Sequence, residues 1–81
     1  MQKILTDEKF GENIRKIRRN RGLSQGQITV KMQLLGSTIV RSTFSQIESG
    51  KGNIFVSDLV GLKQIFDVEY SAFFEGIGTE R

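Results

Sequence analysis

The side chains best suited to contact another molecule lie on one face of a short segment, residues 41–49. At about 100° per residue of an α-helix, this face carries long hydrogen-bonding groups separated by small hydroxyls: Arg41, Ser42, Ser45, Gln46 and Ser49. An arginine can donate two hydrogen bonds to guanine O6 and N7, and a glutamine can bridge adenine N6 and N7. The pattern is suited to the major groove of DNA, although any solvated helix can carry the same residue types.

The opposite face of the same segment is apolar. Val40, Phe44 and Ile47 cluster within roughly 60° of one another when the segment is drawn as a helix. The pattern predicts an amphipathic helix that begins at Val40 or Arg41, ends at Ser49 and is closed by Gly50 and Gly52.

Basic residues are concentrated in the part of the chain that contains this segment, residues 1–51. Residues 1–51 contain 10 basic and 4 acidic residues, a net charge of +6, whereas residues 52–81 contain 2 basic and 5 acidic residues, a net charge of −3. This asymmetry favours one surface that faces a polyanion and another that faces solvent or a partner. A merely solvated basic helix is the simpler alternative.

The composition excludes most catalytic chemistry. The 81 residues contain neither Cys nor His, so thiolate nucleophiles, disulfides and the commonest zinc ligand and general base are missing. We expect no enzyme, no cofactor, no metal site and no small-molecule ligand. No apolar run exceeds three residues, so we expect no signal peptide or membrane segment and a cytoplasmic location.

Apolar periodicity and glycine punctuation predict one all-α domain, residues 1–81, with a core at about residues 7–74. Five helices are expected, at about residues 7–20, 25–35, 40–49, 57–67 and 70–74, with Thr6 and Ser24 capping the first two. The tail, residues 76–81, is expected to fray. Apolar stripes define the core faces of the first, second and fourth helices: Phe10, Ile14 and Ile17; Ile28, Met32 and Leu35; Val56, Leu59, Leu62, Ile65 and Phe66.

Three stretches resemble the signature segments of the phage-repressor and Cro-type (XRE-like) helix-turn-helix family. They are residues 23–25 (Leu-Ser-Gln), 41–53 (Arg-Ser-Thr-Phe-Ser-Gln-Ile-Glu-Ser-Gly-Lys-Gly-Asn) and 68–74 (Val-Glu-Tyr-Ser-Ala-Phe-Phe). The resemblance covers residues 10–74. It implies a compact five-helix, lambda-repressor-like domain that binds double-stranded DNA through its second and third helices and regulates transcription, most often as a repressor.

The resemblance also implies roles for individual positions. Base reading falls to Arg41, Ser42 and Gln46, with Thr43 and Ser45 close to the groove wall. Phosphate contacts fall to Gln25, Ser49, Lys51 and Asn53. A pair of Arg18 and Glu48 ties the first helix to the third, as a structural clamp rather than an ordinary surface ion pair.

The chain departs from the family pattern at three places. The stretch of residues 32–40 is longer than the usual turn, so either the second helix gains a turn or the connection is looser. Val40 stands where Ser or Thr usually caps the third helix, so either Ser37 or Thr38 caps it instead or the helix starts with unsatisfied amides. Ile54 replaces a frequent proline.

Aromatic residues near the end of the chain are candidates for self-association. A homodimer on a two-fold symmetric DNA site is the expected working form, with Tyr70, Phe73 and Phe74 as candidate contacts. Core packing is the alternative for these side chains, and for at least one Phe it is the better one. A competing function is a protein-interaction module, such as an antitoxin or regulatory partner, that uses a surface of Phe73, Phe74 and Ile77.

Overall fold

The computed structural model describes residues 3–78, and within this range it has four α-helices, one 3₁₀ helix and two short strands. In chain order they are β1 (Lys3–Leu5), α1 (Glu8–Asn20), α2 (Gln25–Leu34), α3 (Arg41–Glu48), β2 (Asn53–Phe55), α4 (Val56–Phe66) and the 3₁₀ helix (Tyr70–Phe74). The all-α class is confirmed. The predicted fifth helix is present at Tyr70–Phe74 as a 3₁₀ helix, so the domain has four α-helices within the described range; five residues are too few for a stable α-helix and suit the tighter i→i+3 hydrogen bonding.

The two strands are an addition that the periodicity does not predict. They pair antiparallel, with Ile4 opposite Ile54. Thr6 prolongs this pairing, since its backbone N–H and its hydroxyl donate to the Gly52 carbonyl at 3.1 and 3.0 Å. The prediction that Thr6 caps α1 is therefore wrong, and the Asp7 carboxylate takes that place by accepting from the Phe10 N–H at 2.7 Å.

Each of the first three helices ends two residues before a glycine that the sequence predicts as a stop. Gly22, Gly36 and Gly50 each adopt a positive φ, a conformation that costs glycine little. At each end the next residue donates back to a carbonyl five positions earlier, as in the 2.9 Å bond from the Lys51 N–H to Gln46. These turns set the direction in which the chain leaves each helix.

The core lies where the four α-helices and the 3₁₀ helix meet. Its buried apolar residues are Phe10, Ile14, Ile28, Met32, Ile39, Phe44, Ile47, Ile54, Leu59, Leu62, Phe66 and Phe73, with Ile17 and Ile65 partly buried against them. Three predicted core positions, Leu35, Val40 and Val56, are exposed instead. Each lies at a helix boundary, where the backbone leaves helical geometry or has just entered it and the 100° spacing no longer places the side chain.

The 3₁₀ helix is fixed onto α1. The Asn13 amide donates to the carbonyls of Phe73 and Glu75, both at 2.9 Å. Phe73 is fully buried, and its ring centroid lies 6.4 Å from those of Phe10 and Phe66. The prediction of Phe73 as a dimer contact, or as part of a surface with Phe74 and Ile77, is therefore wrong.

Exposed apolar side chains remain at this end of the molecule, at Tyr70, Phe74 and Ile77. The predicted fraying of residues 76–81 falls in part on residues 79–81, which lie outside the described range. Within residues 3–78, every helix is too short or too polar to cross a membrane.

Candidate nucleic-acid interface

Helices α2 and α3 pack against each other as a helix-turn-helix. The start of α2 is locally encoded, since the Ser24 hydroxyl accepts from the Gln27 N–H at 3.1 Å and the Gln27 side chain accepts from the Ser24 N–H at 2.8 Å. This reciprocal pair is a capping box. The predicted cap at Ser24 is confirmed.

The connection between the two helices contains the extra residues that the sequence shows there. Helix α2 ends at Leu34, and residues 35–40 form the connection to α3. Besides backbone bonds, two hydrogen bonds that involve side chains hold this connection: the Gln33 amide donates to the Ile39 carbonyl at 2.9 Å, and the Ile39 N–H donates to the Ser37 hydroxyl at 3.0 Å. The Ile39 backbone takes part in both bonds and its side chain is buried, so the connection is anchored to the core.

Helix α3 separates polar from apolar side chains. Phe44, Ile47 and Glu48 are buried against the rest of the domain. All five predicted base-reading residues lie in this helix, four of them exposed and one half-buried: Arg41, Ser42, Thr43, Gln46 and Ser45. The structure thus brings them together on the solvent side of one element.

The predicted phosphate-binding residues lie around this helix. Lys51 and Asn53 follow α3 and are exposed, and Asn53 lines a small crevice of about 170 Å³ together with Thr43. The Ser49 hydroxyl donates to the Ser45 carbonyl at 3.1 Å. The Gln25 side chain, at the start of α2, donates from Nε2 to Glu48 Oε1 at 2.9 Å, which leaves the amide a second N–H for another acceptor.

The Glu48 carboxylate joins three parts of the domain. Arg18 donates from Nε to Oε2 at 2.7 Å and from Nη2 to Oε1 at 3.0 Å, which is a two-bond, charge-assisted pair. The remaining arm of Arg18 donates to the Leu23 carbonyl at 2.9 Å. Since the Glu48 side chain is fully buried, this network connects α1, the turn after it and the start of α2 to the last residue of α3.

Two glycines permit the close contact between α1 and the end of α3. A Cβ atom at Gly11 would overlap the carbonyl oxygens of Ile47 and Glu48, and one at Gly50 would overlap the backbone of Glu8. Sequence reasoning identifies Gly50 as a helix stop and misses its packing role. It misses Gly11 entirely, although a glycine inside a helix with otherwise good formers is a signal of close packing.

The opposite end of α3 has a different character. Val40 occupies the N-cap position with an extended backbone, and no side chain among the described residues caps the helix there. Of the two expectations for this end, a cap from Ser37 or Thr38 is wrong, since the Ser37 hydroxyl accepts from the Ile39 N–H inside the connection. The other, a helix that starts without a side-chain cap from the described residues, is confirmed. The amides of the first turn of α3 are left for solvent or a ligand.

Of three comparisons with known proteins, the one with solved structures finds a similar architecture. No protein-family model and no curated protein matches the chain. Among solved structures, the chain is similar to the restriction-modification controller protein C.AhdI from Aeromonas hydrophila, with 27% sequence identity and a TM-score of 0.71 over 83% of this chain and 94% of that one. A protein described as a restriction-modification controller thus shares most of this fold.

Proposed function

We propose that this chain, a helix-turn-helix protein of the phage-repressor and Cro type, binds double-stranded DNA and regulates transcription, with α3 lying in the major groove. The observation that carries the proposal is the exposed face of α3, where Arg41, Ser42 and Gln46 stand opposite the buried Phe44 and Ile47. The regulatory name of the similar solved structure, a restriction-modification controller, supports it.

Affinity and specificity would come from different residues. Cations and backbone-proximal polar groups around α3 neutralise or bind phosphates and set the register of the protein on the duplex: Gln25, Ser49, Lys51 and Asn53. The side chains of Arg41, Ser42 and Gln46 then read base edges, and each bidentate pair contributes about 1–3 kcal/mol of discrimination. The buried Glu48 network supports this division because it holds α3 at a defined angle to α1 and α2.

Binding assays on DNA test this division of roles. Wild-type protein is expected to bind random duplex with an affinity that falls steeply with salt, and a selection from a random pool should yield a motif. Lys51→Ala should weaken binding to all sequences and reduce the salt slope by ~1, whereas Gln46→Ala should relax preference at one base position and spare non-specific binding. Lys63→Ala and Gln64→Ala, on α4 in the acidic half of the chain, are the matched controls.

Three outcomes would contradict these assignments. No affinity for random duplex even at low salt would remove the DNA-binding proposal. Equal losses on every DNA sequence for Lys51→Ala and Gln46→Ala would leave DNA binding standing and remove the separate roles. Harmless exchange of both Arg41 and Gln46 would favour the protein-interaction module, for which Phe74 and Ile77 remain exposed.

The working form that we propose is a homodimer that represses by occupying a pseudo-palindromic site near a promoter. A single module of this size buries little surface on DNA, and two-fold symmetry would place two copies of α3 in half-sites about 10 bp apart or a multiple of that distance. Tyr70 and Phe74 are the exposed aromatic candidates for the contact. Sedimentation of the free protein at micromolar concentration, with Phe74→Ser as the variant, tests whether they form it; an unchanged mass for that variant would exclude Phe74.

A further inference from the structure

We propose that Val40 reads the C5-methyl group of a thymine, as an apolar specificity contact beside the polar ones of Arg41 and Ser42. The inference rests on the proposed DNA-binding function and adds to it a residue that the family resemblance does not assign. The sequence places Val40 on the apolar, buried face of α3, whereas in the structure Val40 is exposed at the start of that helix.

Val40 does not contribute to the core as its neighbour does. Val40 is 50% exposed, whereas Ile39, the residue before it, is 6% exposed. Both are β-branched and apolar, so the hydrophobic effect would favour burying both. The chain buries Ile39 and leaves half of the Val40 surface exposed at the start of α3.

The position of Val40 also makes it a poor choice for helix stability. Its backbone has the extended φ of −114° and ψ of 163° typical of an N-cap, where Ser, Thr, Asp or Asn would accept a hydrogen bond from the first turn. Valine cannot accept one, and the described structure supplies no other side chain in its place. Neither core packing nor capping therefore accounts for a valine here.

Recognition of a methyl group accounts for both features. When a helix-turn-helix protein binds, residues at the N-terminal end of the second helix meet the base edges in the major groove. There the apolar group that DNA offers is the C5-methyl of thymine, which distinguishes T·A from C·G. Because a β-branched side chain has few χ1 rotamers, Val40 would meet that methyl group with little loss of conformational freedom.

Replacing single thymines with deoxyuridine tests the contact, because this change removes the methyl group and leaves the base pairing intact. The probe is the duplex that wild-type protein selects from a random pool, with each thymine replaced in turn. At one thymine of each half-site, wild-type protein should lose about four-fold in affinity, the value for one buried methyl-sized group. Val40→Ala should lose less than two-fold at that thymine and match wild type at all others.

Val40→Ser separates this role from a structural one. Since serine can cap α3, this variant should melt about 4–8 °C higher than wild type while losing the sensitivity to uracil. A full wild-type uracil penalty in Val40→Ala at every thymine would overturn the inference and leave the proposed function standing. The absence of any selected duplex would overturn both, and is a result distinct from the first.

Discussion

The two ends of helix α3 differ in how the domain holds them. At the C-terminal end, the buried Glu48 receives hydrogen bonds from Arg18 and Gln25, and Gly50 packs on the backbone of α1. At the N-terminal end, Val40 and Arg41 are exposed, and no side chain of the described residues caps the helix. The domain thus fixes the helix at its C-terminal end through buried contacts and leaves the N-terminal end exposed.

A physical reason underlies this arrangement. A buried charge is tolerated only when its hydrogen bonds are made, so the Glu48 network has one acceptable geometry and sets the angle of α3. The groups at the other end have no side-chain cap among the described residues, and water that solvates such groups can be displaced by a ligand. Substitutions at the two ends of α3 and in the contacts that hold it test this difference.

Removing the Glu48 carboxylate should have the largest effect. Glu48→Ala leaves the Arg18 guanidinium buried without its partner and should lower the free energy of unfolding by about 3–5 kcal/mol. Glu48→Gln keeps the shape and should cost ~1 kcal/mol or more. Urea denaturation measures both, with Glu12→Ala as the control, since Glu12 forms an exposed ion pair with Lys9. A loss for Glu48→Ala no larger than that of the control would show that the pair is an ordinary surface one.

Closing the space at Gly11 should have the next largest effect. A Cβ there meets backbone carbonyls, which cannot move aside as a side chain can, so Gly11→Ala should cost about 1–3 kcal/mol. Gly26→Ala is the matched control in α2, because its Cβ would come no closer than 3.9 Å to the Ser24 hydroxyl. That control should be neutral or stabilising by up to about 1 kcal/mol in the same denaturation experiment. A Gly11→Ala variant as stable as Gly26→Ala would show that α1 and the end of α3 are not in close contact.

A change at the free end of α3 should have the opposite sign. Val40→Ser supplies the missing N-cap and should raise the free energy of unfolding by about 1 kcal/mol. Thermal unfolding followed by circular dichroism measures the gain, and Val40→Ala serves as the reference without a cap. A loss of stability in Val40→Ser would mean that the valine side chain supports the fold, so that contacts with the domain hold both ends of α3.

Arg15 should have the smallest effect, although it approaches the same carboxylate. Its Nε lies 3.6 Å from Glu48 Oε1 and its side chain is 40% exposed, so Arg15→Ala should cost about 0–1 kcal/mol. Arg18→Ala, one helical turn later and buried, is the comparison and should cost several times more. Similar losses for the two variants would mean that burial does not separate the two contacts.

Features that depend on neighbouring residues could be predicted from the sequence. The Ser24 cap, the stops at Gly22, Gly36 and Gly50, and the division of α3 into two faces all follow from hydrogen bonds and side-chain directions within a few residues. Their energetics are local, so the residue types alone specify them. The family resemblance added the candidate site residues, which the structure gathers around α3.

Features that depend on distant residues were decided by the tertiary structure. The Thr6 hydroxyl is recruited by Gly52 and so leaves the cap of α1 to Asp7. Phe73 enters the core because Asn13, 60 residues earlier, holds its backbone.

The same distinction applies within the candidate site. Residue types and spacing determined that α3 is an amphipathic helix with one polar, solvent-exposed face. Only the packed structure determined that Val40 is exposed and that Gly11 lies against the end of α3. The physical reason is that burial and close backbone approach depend on which distant surfaces meet, and no periodicity within one segment contains that information.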